Sequence, residues 1–313
     1  MLSAFLVILG IVLLYLGGEA LVDNSIRLAR SFNVSHLVIG LTVVAFATSC
    51  PELAATITAA LRESPDIAVG NVFGSNIANL GLILGLSALM LPLYPSRRLI
   101  RRDAVFMVFV TVLVFPLMMG GLLNRLEGLV LVVLLGIFLH NLLSDPETNE
   151  QKVVPAEELD KPLRPVWLAA LGVALGVGLL VGGAQALVAG ATDIARALGI
   201  TERVIGLTLV ALGTSLPELA ASIVATRKGE GALVLGNVIG SNIFNLLMIL
   251  GLTALVHPIR VTPAALQLDF WVVLGISVLV LIFLATKRRL VRIEGAILLV
   301  AYLVYTGFLY AYR

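Results

Sequence analysis

The sequence predicts an all-α polytopic membrane protein whose ten transmembrane helices form two inverted five-helix repeats. Three observations carry that prediction: an apolar composition, ten apolar runs of membrane-spanning length, and motifs that recur at one fixed offset. Of 313 residues, 59% are hydrophobic and 13% charged, where a soluble domain carries about 25% charged residues. Such a chain cannot shield its apolar surface from water, so lipid is its solvent. A net charge of +2 leaves no electrostatic footprint for nucleic acid. The single cysteine, Cys50, excludes a disulfide framework and a Cys-based metal cluster. The chain start has no basic n-region or small-residue cleavage site, so 2–22 reads as a retained span.

The apolar runs fall near 2–25, 35–61, 67–93, 103–122 and 126–143, then near 166–192, 202–226, 232–256, 267–286 and 292–311. Each approaches the ~20 residues needed to cross a bilayer. The only long polar stretch, 144–165, is rich in Pro, Glu and Asp and reads as a linker. The expected organisation is therefore a first repeat over 1–143, the linker 144–165, and a second repeat over 166–313.

The two halves share motifs. Ala47-Thr-Ser-Cys-Pro-Glu-Leu-Ala-Ala55 matches Gly213-Thr-Ser-Leu-Pro-Glu-Leu-Ala-Ala221. Gly70-Asn-Val-Phe-Gly-Ser-Asn-Ile-Ala-Asn79 matches Gly236-Asn-Val-Ile-Gly-Ser-Asn-Ile-Phe-Asn245, and Val38-Ile-Gly-Leu-Thr42 matches Val204-Ile-Gly-Leu-Thr208. All three pairs are 166 residues apart. An odd number of spans per repeat makes the second half enter from the opposite side, which gives an inverted repeat. Loops on the linker side hold 15 of the 21 basic residues: Arg27, Arg30, Arg97, Arg98, Arg101, Arg102, Lys152, Lys161, Arg164, Arg227, Lys228, Lys287, Arg288, Arg289 and Arg292. By the positive-inside rule the linker is cytoplasmic and both termini lie outside.

Glu52 and Glu218 lie near the middle of their spans, where an unpaired charge costs several kcal/mol. Inverted symmetry brings them together at the midplane, where they repel unless a cation or protons intervene. Two negative charges also match one divalent ion. Each glutamate follows a proline, Pro51 or Pro217, which donates no hydrogen bond and frees carbonyls nearby. The carbonyls of Ala45, Thr48, Ala211 and Thr214 can then turn inward, as broken backbone does where it lines an ion site. Thr48, Ser49, Thr214, Ser215, Ser75, Ser241, Asn79 and Asn245 add hard oxygen donors. Ca²⁺ takes 6–8 oxygens at about 2.3–2.6 Å. Thiolate and imidazole, the ligands of softer metals, are missing from these motifs. For the serines, packing beside Gly70-x-x-x-Gly74 and Gly236-x-x-x-Gly240 is the competing role. For the asparagines it is interhelical hydrogen bonding. Cys50 reads as a small packing residue, His36, His140 and His257 as interfacial, and Glu19, Asp23, Asp103 and Asp269 as span-end acids reaching toward water.

At these motifs the sequence resembles the Ca²⁺/cation antiporter superfamily, specifically its prokaryotic Na⁺/Ca²⁺ exchanger branch, over essentially the whole chain. The resemblance implies four adjacent cation sites formed by the Thr-Ser-x-Pro-Glu and Gly-Ser-Asn helices of both halves. It implies that Glu52, Glu218 and the carbonyls of Thr48 and Thr214 hold Ca²⁺. It places Ala45, Ser49, Ser75, Ala211, Ser215 and Ser241 around Na⁺, with Asn79 and Asn245 completing the middle of the cluster. Some relatives carry aspartate at the position of Asn245, so this chain has two site carboxylates rather than three, which argues against K⁺ co-transport. The Gly-Asn-x-x-Glu signature of the proton-coupled branch reads here as Gly70-Asn-x-x-Gly74 and Gly236-Asn-x-x-Gly240, which favours Na⁺. A 22-residue linker (144–165) has no room for a regulatory domain.

The expected function is a secondary antiporter that exchanges Ca²⁺ for Na⁺ by alternating access, working as a monomer in a prokaryotic plasma membrane and needing no cofactor. A Ca²⁺/H⁺ antiporter is the alternative, and a passive cation channel a more distant one. No His-Glu-x-x-His, paired aspartate or serine–histidine arrangement supports an intramembrane enzyme. By analogy with the family, the first and sixth spans are expected to slide as a pair over the other eight. Gly10, Gly17 and Gly18, with Gly172, Gly176, Gly178, Gly182 and Gly183, would supply the smooth faces.

Overall fold

The computed structural model describes residues 2–144, 165–200, 211–263 and 265–312. Linker residues 145–164 and the repeat segment 204–208 therefore lie outside the described residues, as do residues 202–210 of the expected span 202–226. The described chain is almost entirely helical. Helix α1 spans Leu2–Ser31, α2 His36–Thr48, α3 Cys50–Leu61 and α4 Pro65–Met90. Helix α5 is a π-turn, Leu99–Ala104, running into Val105–Met118. After a two-residue strand β1 (Leu122–Leu123) come α6 (Arg125–Ser144) and α7 (Val166–Ala197). A short turn, Ala211–Gly213, leads into α8 (Leu216–Arg227), followed by α9 (Gly231–Val256) and β2 (Ile259–Arg260). Helix α10 is the π-turn Ala265–Asp269 running into Phe270–Lys287, and α11 spans Arg292–Tyr312.

Seven of these helices are long and apolar enough to cross a membrane, eight if α2 and α3 are one span bent by 42°. The expected span at 103–122 begins earlier, at Leu99, and its first turn carries Arg101, Arg102 and Asp103. Hydrophobic residues line α1, α6, α7, α10 and α11 on every side, because lipid covers the faces that protein does not. Only 17–39% of each apolar stretch in those five is buried, against 78% in α4 and 89% in α9. The motif helices are thus the centre of the molecule.

Backbone features recur at the repeat offset. Helices α3 and α8 begin 166 residues apart, as do the π-turns at Leu99 and Ala265. A second pair of π-turns, Ala78–Ile83 and Asn245–Ile249, interrupts α4 and α9 at Asn79 and Asn245. A π-turn inserts one residue into the helical ladder and turns the following face. Leu123 pairs with Ile259 where β1 meets β2, and Leu93 pairs with Leu290 in an isolated bridge.

Helices α1 and α7 lie along one another through glycine. A Cβ at Gly10 would stand 2.7 Å from the Gly183 carbonyl, and one at Gly17 2.8 Å from that of Gly176. Backbones at this spacing admit no side chain, and the close contact replaces the hydrophobic drive that lipid cannot give. The expected sliding faces are therefore corrected in part. Gly10, Gly17, Gly176 and Gly183 lock the pair together, while Gly178 and Gly182 meet no described atom within 4 Å. Gly18 alone of the α1 glycines faces the centre, against Val224 and Ala220 of α8. Gly236 and Gly240 let α9 approach the Leu37 and Leu41 backbone of α2, as the motif reading expects. At Gly70 and Gly74 no described atom lies so near.

Candidate functional site

The break between α2 and α3 is built by sequence. Proline at the second position of α3 and of α8 is tolerated because its missing N–H falls among the groups that find no partner inside the helix. The residue ahead of each helix takes a matching turn: Ser49 has φ −81° and ψ −2°, Ser215 φ −87° and ψ 2°. The first turn of each following helix then presents its glutamate, Glu52 or Glu218, inward and buried.

Both carboxylates are almost wholly buried, with 1% and 2% of their surface exposed. Glu218 lies beside Glu52 and Thr48, and Glu52 beside Ser215. Neither oxygen of Glu52 makes a hydrogen bond of good geometry, nor does Oε2 of Glu218. Ser49 and Ser241 Oγ are buried without partners, and so are the amide oxygens Asn79 Oδ1 and Asn245 Oδ1. Buried polar atoms almost always find partners. A group of acceptor oxygens facing no donor is what a cation would satisfy. Among the described residues no group of three or more His, Cys, Asp or Glu could hold a metal, so two carboxylates and neutral oxygens make up the set.

The remaining expected residues distribute as follows. Thr48 is buried, and its hydroxyl is shared between the Val44 carbonyl (3.1 Å) and Asn237 Oδ1 (3.3 Å). Thr214 is half-buried and donates to Asn71 Oδ1 at 3.4 Å. Ser75 is buried and donates to the Asn71 carbonyl at 2.7 Å. Ala45 is buried, and its carbonyl already accepts from Ser49 N at 3.0 Å. Ser215 is buried, and for Ala211 only the helical backbone is described. Asn245 Nδ2 donates to Asn76 Oδ1 at 3.0 Å, linking α9 to α4.

Sequence reading passed over four groups. Asn71 and Asn237 are woven into the site, although their Gly-Asn dipeptides stand inside the repeated motif. Asn76 and Asn242 are buried close in sequence to the expected asparagines, in the same repeated ten-residue motif. Asp103 and Asp269 do not reach for water: both are buried in the matched π-turns, Asp103 against Arg102 (2.9 Å) and Asp269 against Tyr305 (2.9 Å). Glu19 and Asp23 do not simply snorkel either. Both bind Lys228 Nζ, at 2.6 and 2.5 Å, tying α1 to the end of α8, and next to them His36 meets Glu230 at 2.6 Å. Burial opposes the charge on Lys228, but Asp23 and Glu19 outweigh it and hold its amine above the usual 10.5. Cys50 is half-exposed and donates to the Phe46 carbonyl.

Comparison with known proteins gives a consistent result. The model of the family described as sodium/calcium exchanger protein matches residues 2–143 and 168–311. The sodium/calcium exchanger MaX1 of Methanosarcina acetivorans is 35% identical over 336 residues, which cover 96% of each chain. Inner membrane protein YrbG of Escherichia coli is 36% identical over 89% of this chain and 87% of its own. Among solved structures, the sodium-calcium exchanger NCX_Mj soaked with Na⁺ and Sr²⁺ is 33% identical over 98% of each chain, with a TM-score of 0.84.

Proposed function

The chain belongs to the sodium/calcium exchanger protein family, a family of membrane transporters and not of enzymes, and from that premise we propose that it exchanges Ca²⁺ for Na⁺ by alternating access. It is an integral, multi-pass membrane protein of prokaryotic type and a cation antiporter. The observation that carries the finer reading is the pair of buried carboxylates without donors, set among partnerless hydroxyl and amide oxygens.

In this reading Glu52 and Glu218 supply the two charges that neutralise Ca²⁺, with the carbonyls of Thr48 and Thr214 as further oxygen ligands. Na⁺ takes adjoining places lined by Ala45, Ser49, Ser75, Ala211, Ser215 and Ser241, with Asn79 and Asn245 between. The same carboxylates serve both ions, so occupancy is exclusive. Empty, the two carboxylates repel in a medium of low polarity, which disfavours crossing with no ion bound and couples one flux to the other. Two inverted five-helix halves, 1–143 and 166–313, joined by a cytoplasmic linker at 144–165, would make the two access states near mirror images about a midplane site. The fixed offset of motifs and π-turns supports that arrangement. The basic loops support a plasma-membrane orientation with both termini outside. One chain carries both glutamates, so a monomer suffices.

The test is Ca²⁺ uptake into proteoliposomes with Na⁺, K⁺ and H⁺ gradients imposed singly. Uptake driven by outward Na⁺ alone is the expected result. Uptake driven by the pH gradient, and indifferent to Na⁺, would establish proton coupling instead. Leak without any opposing gradient would make the protein a channel.

A further inference from the structure

Asn71 and Asn237 are related by the 166-residue offset and make the same cross-brace in opposite senses. Asn71, on α4, donates through Nδ2 to Thr56 Oγ1 (2.9 Å) and to the Glu52 carbonyl (3.2 Å) on α3 of its own half. Its Oδ1 accepts the hydroxyl of Thr214 from the other half. Asn237, on α9, donates to Ser222 Oγ (3.2 Å) on α8, and its Oδ1 accepts from Thr48. The direction of the Asn71 amide is fixed by its neighbours. Thr56 spends its only proton on the Glu52 carbonyl at 2.7 Å, so it offers Asn71 an acceptor and the amide nitrogen must face it.

We propose that Asn71 and Asn237 are positioning residues for ion binding: each holds the threonine proton of the opposite half away from the glutamates while clamping its own glutamate helix. The inference rests on the reading of Glu52 and Glu218 as the cation-binding pair. Its physical basis is competition for lone pairs. Thr48 donates to Asn237 Oδ1 at 3.3 Å and lies beside the Glu218 carboxylate. A hydroxyl has one proton, and hydrogen bonds to a charged acceptor are the stronger kind. The Val44 carbonyl at 3.1 Å shares the Thr48 proton. Without Asn237 that proton is left to this neutral carbonyl and the Glu218 carboxylate, and the charged acceptor draws it onto an oxygen that a cation needs. Because each brace joins the two halves, it also keeps both glutamates facing one site.

A double-mutant cycle tests this on the full-length protein in detergent, reading Ca²⁺ affinity by calorimetry and folding by thermal melt. Asn237→Leu keeps the volume and removes the brace, and Ca²⁺ affinity is expected to fall about tenfold, the effect of one buried hydrogen bond lost. Thr48→Val removes the competing proton, so adding Asn237→Leu in that background should cost at most about twofold more. A wild-type affinity in folded Asn237→Leu would overturn the proposal. So would an equal loss in both backgrounds, since Asn237 would then act without Thr48. Should Asn237→Leu fail to fold, the same cycle with Asn71→Leu and Thr214→Val decides by the same criteria. Glu52→Gln is the separate control: if it binds Ca²⁺ normally, the site reading fails, whatever the asparagines do.

Discussion

Replacing Gly176 by alanine tests the packing of α1 on α7 with the smallest possible change. The added Cβ would stand 2.6 Å from Leu21 N and 3.0 Å from both the Gly17 carbonyl and Leu21 Cα, all backbone atoms that cannot swing aside. Ordinary van der Waals contact begins at 3.4 Å, so the helices must part by about 0.8 Å, the difference between 3.4 and 2.6 Å. Overpacking of this kind costs about 1–3 kcal/mol. The cost is concentrated because the shift also loosens the contacts of Gly10 with Gly183, on the same interface. Gly178→Ala is the matched control, on the same helix but with no described atom within 4 Å. Thermal unfolding of the purified protein in detergent, followed by fluorescence and size-exclusion recovery, should show a clearly lowered midpoint for Gly176→Ala and none for Gly178→Ala. Equal midpoints for Gly176→Ala and the wild type would refute the close-packed interface. Destabilisation by Gly178→Ala of the same size would show that glycine's backbone freedom, not contact, explains both.

Glu52→Gln and Glu218→Gln should each abolish exchange in proteoliposomes, while the ion-free thermal midpoint stays equal or rises, since a buried carboxylate without a donor is costly. Raising Na⁺ should weaken apparent Ca²⁺ affinity with a logarithmic slope steeper than one; a flat response would separate the two ions' sites. Lys228→Met should lower the thermal midpoint slightly, by the worth of one or two partly exposed ion pairs, each about 0.2–1 kcal/mol. Because the Lys228 amine is held above 10.5, its contribution is fully present at neutral pH and disappears only as pH climbs past that value. The deficit should therefore be the same at neutral and mildly alkaline pH, and a deficit that vanished between them would contradict the pairing.

Local sequence grammar made much of this legible. Pro51 and Pro217 mark the helix breaks, the apolar runs mark the helices, and the matched motifs identify Glu52 and Glu218 as partners across the halves. Missed were features that depend on which face meets which. Asn71 enters the sequence reading only within a Gly-Asn signature, and its part emerges when α4 is set against α3 and Thr214. Gly178 and Gly176 are two residues apart, yet on a helix that places them on opposite sides. Asp103 and Asp269 sit near span ends in sequence, but a π-turn rotates each inward, and no periodicity announces a π-turn. Lys228 is 205 positions from Asp23, beyond any local signal.

That ion-paired cluster also breaks the equivalence of the halves. The residues 166 positions from Glu19 and Asp23 are Gln185 and Ala189, and Lys228 answers to Arg62. The tether of Glu19 and Asp23 to Lys228 has no charged counterpart at Gln185 and Ala189. A device with perfect internal symmetry would rest equally in its two orientations. If a pair of this kind closes in only one of two access states, about 0.5–1 kcal/mol would tilt that balance roughly two- to fivefold toward the state that keeps it. In the alternating-access reading, these three side chains, which never touch the cargo, would set a resting posture, and ionic strength would act on it because salt screens exposed charges.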